Sequence, residues 1–325
     1  MPKGEAEYFF TYRTNVKGRW CGRPVIDVLA SEFRTRTRDY FLSALECGVI
    51  TVNEEVVEPT RMLRIGDVIK HTVHIHEPSH PEIDVIKIEE DYVVVNKPSG
   101  IPCHPTGGYR EYSVTRALFG DQKVACINRL DMPVSGVLII ATRNHSKCLE
   151  SIRDAVKIYI AKVCGMFPDS VVVDKGIKCT EGKNRHVSDE GKACLTLFRR
   201  LEYKDGYSLV ECKPVTGRTH QIRIHLQSIG FPIINDVMYG DGVQPPLPQD
   251  DVCHADINGL GDRRMYEYVV KHCKGRSNRS FVAKGHYICL HAWKYIYNGI
   301  EYVASLPNWC RGWDLASSQV TEKNL

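Results

Sequence analysis

The chain has 325 residues, of which 43% are hydrophobic and 25% charged, and its formal net charge is +4. That length and balance suit a globular protein of two domains, and no apolar run of about 18 residues exists to cross a bilayer as a helix. The opening Met1-Pro2-Lys3-Gly4-Glu5 has no apolar signal core, and the 13 cysteines include no C-x-x-C pair. A secreted disulfide scaffold is therefore not expected, and reduced cysteines in the cytoplasm, nucleus or mitochondrion are.

Residues 1–20 read as a polar lead-in. Residues 23–53 predict two short helices and a strand, with Arg34, Arg36 and Arg38 on alternate positions between the helices. Gly66-Asp67 is a turn signal before an alternating strand with Val68, His71, Val73 and Ile75. "EPSHPEID" at 77–84 has two prolines and no periodicity, and reads as a linker. Beyond it come strand patterns at 91–100, 136–143 and 157–165, and a helix over 145–155 with Cys148, Leu149, Ile152 and Ala155 on one face. A hairpin is expected around Lys204-Asp205-Gly206, followed by a helix over 220–230 that Thr216 or Thr219 would cap. Strands without a regular βαβ alternation predict an α+β fold with a mixed, largely antiparallel sheet and flanking helices. The expected domains are a small N-terminal α/β domain at 1–80 and a larger one at 85–310 with a surface insertion at 241–285. A loose tail would follow at 311–325.

Several chemistries lack their motifs. There is no G-x-G-x-x-G after a strand, no H-E-x-x-H and no G-x-S-x-G, and "GIKCTEGKN" near 176–184 has the wrong spacing for a phosphate loop. Cys253-His254, His272-Cys273 and His286 match no common zinc frame, so no metal is expected. Three polar islands interrupt the apolar pattern instead: "INRLDMPVSGVLII" (127–140), "PVTGRTHQIRIHL" (214–226) and "ICLHAW" (288–293). Taken singly, the first reads as a turn aspartate and the second as a surface basic helix.

Together these islands resemble the RluA-type pseudouridine synthase family. Its H-R-L-D-x-x-T-S-G motif stands here as "NRLDMPVSG" at 128–136, and its T-G-R-T-H-Q-I-R motif is unbroken at 216–223. "NKPSGIPCHP" (96–105), "KIYIAKVCG" (157–165), "GFPIINDVMYG" (230–240) and "LHAW" follow the family order, over roughly residues 85–305. Residues 23–53 and "IGDVI" are similar to the RNA-binding domain of ribosomal small-subunit protein four.

The resemblance implies an isomerase of structured RNA that flips a uridine out of the helix and needs neither cofactor nor metal. Asp131 would be the catalytic aspartate, as nucleophile or base, with Tyr159 stacking on the base and Arg218 pairing with Asp131. Arg129 would fill the gap left by the flipped base. Arg34, Arg36, Arg38, His220, Gln221 and Arg223 would bind RNA. Asn128 and Val134 depart from the family's histidine and threonine, and loss of the threonine hydroxyl would remove a brace from the Asp131 loop. The preferred partner is transfer RNA, with ribosomal or messenger RNA open, acted on by a monomer without a membrane. The competing class is a catalytically weak or inactive RNA-binding relative that keeps the pocket.

Overall fold

A computed structural model describes residues 6–33, 36–77, 82–107, 109–180, 185–240 and 287–313. The expected insertion at 241–285 and nearly all of the tail lie outside the described residues, as do Arg34 and the cysteine–histidine group at 253–286. The described residues divide into two compact units, one holding residues 6–77 and the other residues 82–240 and 287–313.

The first unit contains β1 (Ala6–Asn15), α1 (Val25–Glu32), α2 (Arg38–Glu46), β2 (Ile50–Val52) and β3 (Val68–Glu77). α1 starts behind Pro24, whose fixed φ suits a helix entry, and Thr37 caps α2 by accepting from the Tyr40 amide at 3.3 Å. Trp20, Val25, Leu29, Phe41, Leu45, Ile50 and Leu63 form its core. The polar lead-in expected at 1–20 is instead a ten-residue strand, paired antiparallel with β3. Aromatics at Tyr8, Phe9, Phe10 and Tyr12 sit on both faces of β1, so no period of two shows in the sequence.

The second unit is a ten-stranded sheet with short helices. In chain order it holds β4 (Asp84–Ile88), β5 (Tyr92–Lys97), α3 (Val114–Phe119), β6 (Ala125–Cys126), β7 (Ser135–Ala141), α4 (His145–Ser151), β8 (Val156–Cys164) and β9 (Ser170–Asp174). Then come β10 (Ile177–Cys179), β11 (Arg185–Val187), β12 (Leu195–Lys204), β13 (Tyr207–Pro214), α5 (Gln221–Ser228), β14 (Leu290–Tyr297) and β15 (Ile300–Val303). The sheet runs β4-β5-β7-β14-β8-β13-β12-β9, with β6 on β7 and β15 on β14, while β10 and β11 pair separately. This is the expected α+β architecture. Asp205 and Gly206 both take positive φ in the β12–β13 hairpin, as a two-residue turn requires. Leu149, expected on the inner face of its helix, is exposed, and Cys148 is the buried residue of α4.

Among the described pairs, β7 and β14 alone run parallel, and they do so at the sheet's centre. Gly136 permits it. Its φ is +116°, and a Cβ there would lie 2.2 Å from the Ala292 carbonyl oxygen. Only glycine lets the two backbones meet so closely. The turn carrying Asp131 leads directly into this junction.

Candidate active site

The Asp131 turn is held from several sides. The Val134 amide donates to the Asp131 carbonyl at 3.0 Å, closing the turn. Asn128 accepts from the Ile139 amide at 2.8 Å and donates to the Val137 carbonyl at 3.1 Å, so it ties the incoming strand to β7. Lys97, fully buried, donates to the carbonyls of Pro98 (2.8 Å) and Met132 (3.2 Å), and the Gly100 amide also reaches Met132. Burial lowers the Lys97 pKa to about 8. Ser135 Oγ lies 2.8 Å from His291 Nδ1, past the other end of the turn. The brace that Val134 cannot supply through a hydroxyl is thus supplied by backbone, Asn128 and Lys97.

The partner of Asp131 is Arg223, not Arg218. Arg223 Nη1 donates to Asp131 Oδ2 at 2.8 Å, while its Nε and Nη2 donate to the two oxygens of Asp236 at 2.7 and 2.8 Å. Asp236 is wholly buried and also accepts from the Met238 and Tyr239 amides. Burial works against the Arg223 charge, but the Asp236 and Asp131 carboxylates outweigh it and hold its pKa above the ordinary value. Arg218 instead sits exposed in the loop before α5, with Nε and Nη2 each 3.4 Å from the Ala193 carbonyl. The reason is positional. Arg218 precedes α5, whereas Arg223 lies within its first turn, three residues after His220, on the face turned to Asp131.

His220 has a left-handed backbone, with φ +58°. Its Nε2 is 3.5 Å from Asp131 Oδ2, and its Nδ1 is 2.9 Å from the Tyr239 hydroxyl. Burial lowers its pKa, Asp131 pulls the other way, and the Arg223 charge reinforces the burial. His220 itself is the N-cap of α5 and no side chain caps the helix there, so neither Thr216 nor Thr219 caps it. Thr216 donates to Gln221 Oε1. Gln221, expected on RNA, is buried. Its oxygen accepts from Thr216 and the Arg218 amide, and its nitrogen donates to Leu195 and Thr196, so it braces the loop.

A cavity of about 580 Å³ opens beside these groups. Asp131, Arg129, Tyr159, Tyr295, His220 and Arg223 are on its wall. Tyr159, on β8, is buried, and its hydroxyl lies 2.5 Å from that of Tyr295 on β14. Burial and the neighbouring Tyr295 raise the Tyr159 pKa well above the ordinary 10.0, so its phenol stays protonated. Arg129 is exposed at the cavity. Asp236, Tyr239, Tyr295 and Lys97 were not singled out from the sequence, although "GFPIINDVMYG" contains two of them. Among the described residues, no three His, Cys, Asp or Glu side chains converge as a metal site.

Arg36 and Arg38 belong to the other unit. Arg36 stacks over the Tyr40 ring at 4.7 Å, and Arg38 pairs with Asp27 at 2.7 Å. Tyr40 in turn bonds His71 Nε2 at 2.9 Å.

A family model described as RNA pseudouridylate synthase matches residues 91–228. The chain is 41% identical to the mitochondrial tRNA pseudouridine(32) synthase of Saccharomyces cerevisiae, over 72% of this chain and 54% of that protein. It is 33% identical to RNA pseudouridine synthase 7 of Arabidopsis thaliana, over 93% of this chain and 85% of that protein. The chain thus spans about half the length of the yeast relative. Among solved structures, Human RNA Pseudouridylate Synthase Domain Containing 4 aligns with a TM-score of 0.48 at 21% identity, over 70% of this chain and 89% of that one.

Proposed function

This chain belongs to the RNA pseudouridylate synthase family, and from that premise we propose that it isomerises uridine to pseudouridine in RNA, with transfer RNA as substrate. The observation that carries the reading is the Asp131–Arg223–Asp236 chain at the wall of a cavity that also holds Tyr159. Arg223 binds Oδ2 of Asp131. Among the described residues no hydrogen bond is made to Oδ1, which is therefore the oxygen available to a ribose. The reaction breaks the bond between ribose and nitrogen 1 of the base, turns the base, and joins ribose to carbon 5. Carbon 5 loses a proton and nitrogen 1 gains one, so atoms and charge balance without an oxidant or a hydrolytic water. Asp131 acts on the sugar as nucleophile or base. Tyr159 supplies a ring against the base and a protonated hydroxyl. Arg129 occupies the space the flipped nucleotide leaves, which offsets unstacking of a few kcal/mol. The tRNA assignment is supported by the name of the yeast relative.

Residues 1–80 are proposed as an RNA-binding domain and residues 85–310 as the catalytic domain, the protein acting as a monomer. The separate hydrophobic core within residues 16–69 supports an independent small domain.

The test is conversion of uridine in transfer RNA by the purified chain, read by pseudouridine mapping. Asp131→Asn keeps shape and loses charge, and is expected to fold and to convert nothing. Conversion by this variant at the wild-type level would exclude Asp131, and a wild-type chain that binds transfer RNA but never isomerises it would favour the inactive-relative reading.

A further inference from the structure

The imidazole of His220 is built into the site more firmly than an RNA-contacting side chain needs. Its ring is edge-on to Tyr239, with centroids 5.5 Å apart and planes at 76°. Tyr239 also lies against Arg223, whose guanidinium carbon is 5.0 Å from the ring centroid. One tyrosine therefore contacts both groups that approach Asp131 Oδ2. The backbone at His220 adopts the left-handed conformation, which histidine, like asparagine and aspartate, takes more often than other residues with a side chain.

Taking Asp131 as the reacting carboxylate, as proposed above, we propose that His220 is a second positioning residue for it, locked by the Tyr239 hydroxyl in the ring form that carries a proton on Nε2. Two arrangements of the contact between His220 Nδ1 and the Tyr239 oxygen are chemically open. If Nδ1 carried the proton, Nε2 would turn a lone pair toward a carboxylate oxygen 3.5 Å away, which is repulsive. If Tyr239 donates to Nδ1, Nε2–H faces Oδ2, which is attractive. At 3.5 Å the approach is longer than a hydrogen bond and shortens when substrate draws the carboxylate into place.

The groups facing His220 are Asp131, Arg223, Arg185, Asp236 and Tyr239. Burial is the largest influence and, with the two arginines, favours a neutral ring against the pull of the two carboxylates. A neutral Nε2–H orients Asp131 without adding a second full charge to Arg223. Oδ2 is then fixed from two directions, and Oδ1 alone points to the ribose.

The experiment has two readouts on the full chain. The first is the imidazole 15N spectrum, which needs no RNA. It is expected to show the Nε2–H form at His220, and Tyr239→Phe is expected to shift it toward a mixture. An Nδ1–H ring in the wild-type chain overturns the proposal. The second is single-turnover and steady-state kinetics of His220→Asn on the RNA that the wild-type chain modifies. Asparagine tolerates the left-handed backbone but does not reach Asp131. The variant should melt like wild type, keep KM, and lose about 10–100-fold in kcat, the scale expected when a reacting group is misplaced by about 1 Å. A wild-type kcat, or a raised KM with unchanged kcat, overturns the proposal and leaves the assigned function intact. If the wild-type chain converts no uridine, the assigned function fails instead, and the ring form alone decides whether Tyr239 sets the His220 proton.

Discussion

The side chain of Arg223 is 6% exposed and meets two carboxylates, whereas that of Arg38, in the unit of residues 6–77, is 53% exposed and meets one. Both ion pairs have good distances, 2.8 Å to Asp131 and 2.7 Å to Asp27. Their consequences differ because water screens the second and not the first. In the cavity a charge fixes geometry, since moving it leaves another charge buried without a partner. On the surface a charge is replaceable by water and counterions, and its value lies in what it offers to a polyanion. Basic residues in the first region should therefore govern rate and stability, and those in the second should govern affinity and its salt dependence.

The strongest way to break this contrast is to exchange the treatment of the two candidate arginines. Arg223→Lys keeps a charge but loses the planar fork that holds Asp236 and Asp131 together. We expect at least a hundredfold loss of kcat. Arg223→Met strands the fully buried Asp236 and should destabilise by about 3–5 kcal/mol in denaturant unfolding. Arg218→Lys should do neither, because among the described residues the Arg218 side chain hydrogen-bonds only the Ala193 carbonyl. A kcat loss in Arg218→Lys as large as in Arg223→Lys would mean that RNA binding rebuilds the site around Arg218.

Lys97 sharpens the contrast from behind the Asp131 turn, where it is fully buried. Its folded pKa is about 8 and its ordinary value 10.5. Below pH 8 the amine is protonated in both states. Between about 8 and 10.5 it is neutral when folded and protonated when unfolded, so the unfolded state binds more protons and stability rises with pH. The stability of wild type relative to Lys97→Met should therefore grow across that window, by up to roughly 3 kcal/mol. Urea unfolding of both proteins at several pH values checks it. A flat difference would mean that the amine keeps its charge in the folded chain across that window, as it does in the unfolded one.

Which parts could be read from sequence follows the same division between local and distant causes. The β12–β13 hairpin and the two helices before β2 were legible because their signals are local: Asp205-Gly206 and helical spacing. β1 was not, because aromatics on both faces of a strand leave no alternation. Asp131 was legible from its motif, but its partner was not. Arg218 and Arg223 lie 87 and 92 residues from Asp131, and nothing local says which one the fold turns toward it. Asp236 carries the signal that was available, since a buried arginine needs a buried acid and "GFPIINDVMYG" contains one. The family resemblance assigned both His220 and Gln221 to RNA. The structure separates them by burial and saturated hydrogen bonds, which no run of letters displays.

The smallest expected effect belongs to the surface region, and it distinguishes Arg36 from Arg38. Arg38 is already neutralised by Asp27 at 2.7 Å, so a phosphate must compete with that carboxylate for it. Arg36 lies over the Tyr40 ring, 4.7 Å from its centroid, a cation–π contact. If this corner meets RNA, Arg36→Ala should weaken binding. It should also reduce the slope of log affinity against log salt by about 0.7–0.9, the amount expected for one phosphate contact. Asp27→Asn should then act in the opposite direction, because it releases Arg38 to the RNA. Tyr40 gives the control. Tyr40→Phe keeps the ring under Arg36 and removes only the hydroxyl that bonds His71, so affinity should hold while any loss appears in melting temperature. Filter binding of the same RNA at several salt concentrations reads all three variants. No gain from Asp27→Asn would mean that the surface ion pair has no influence on where the RNA lies.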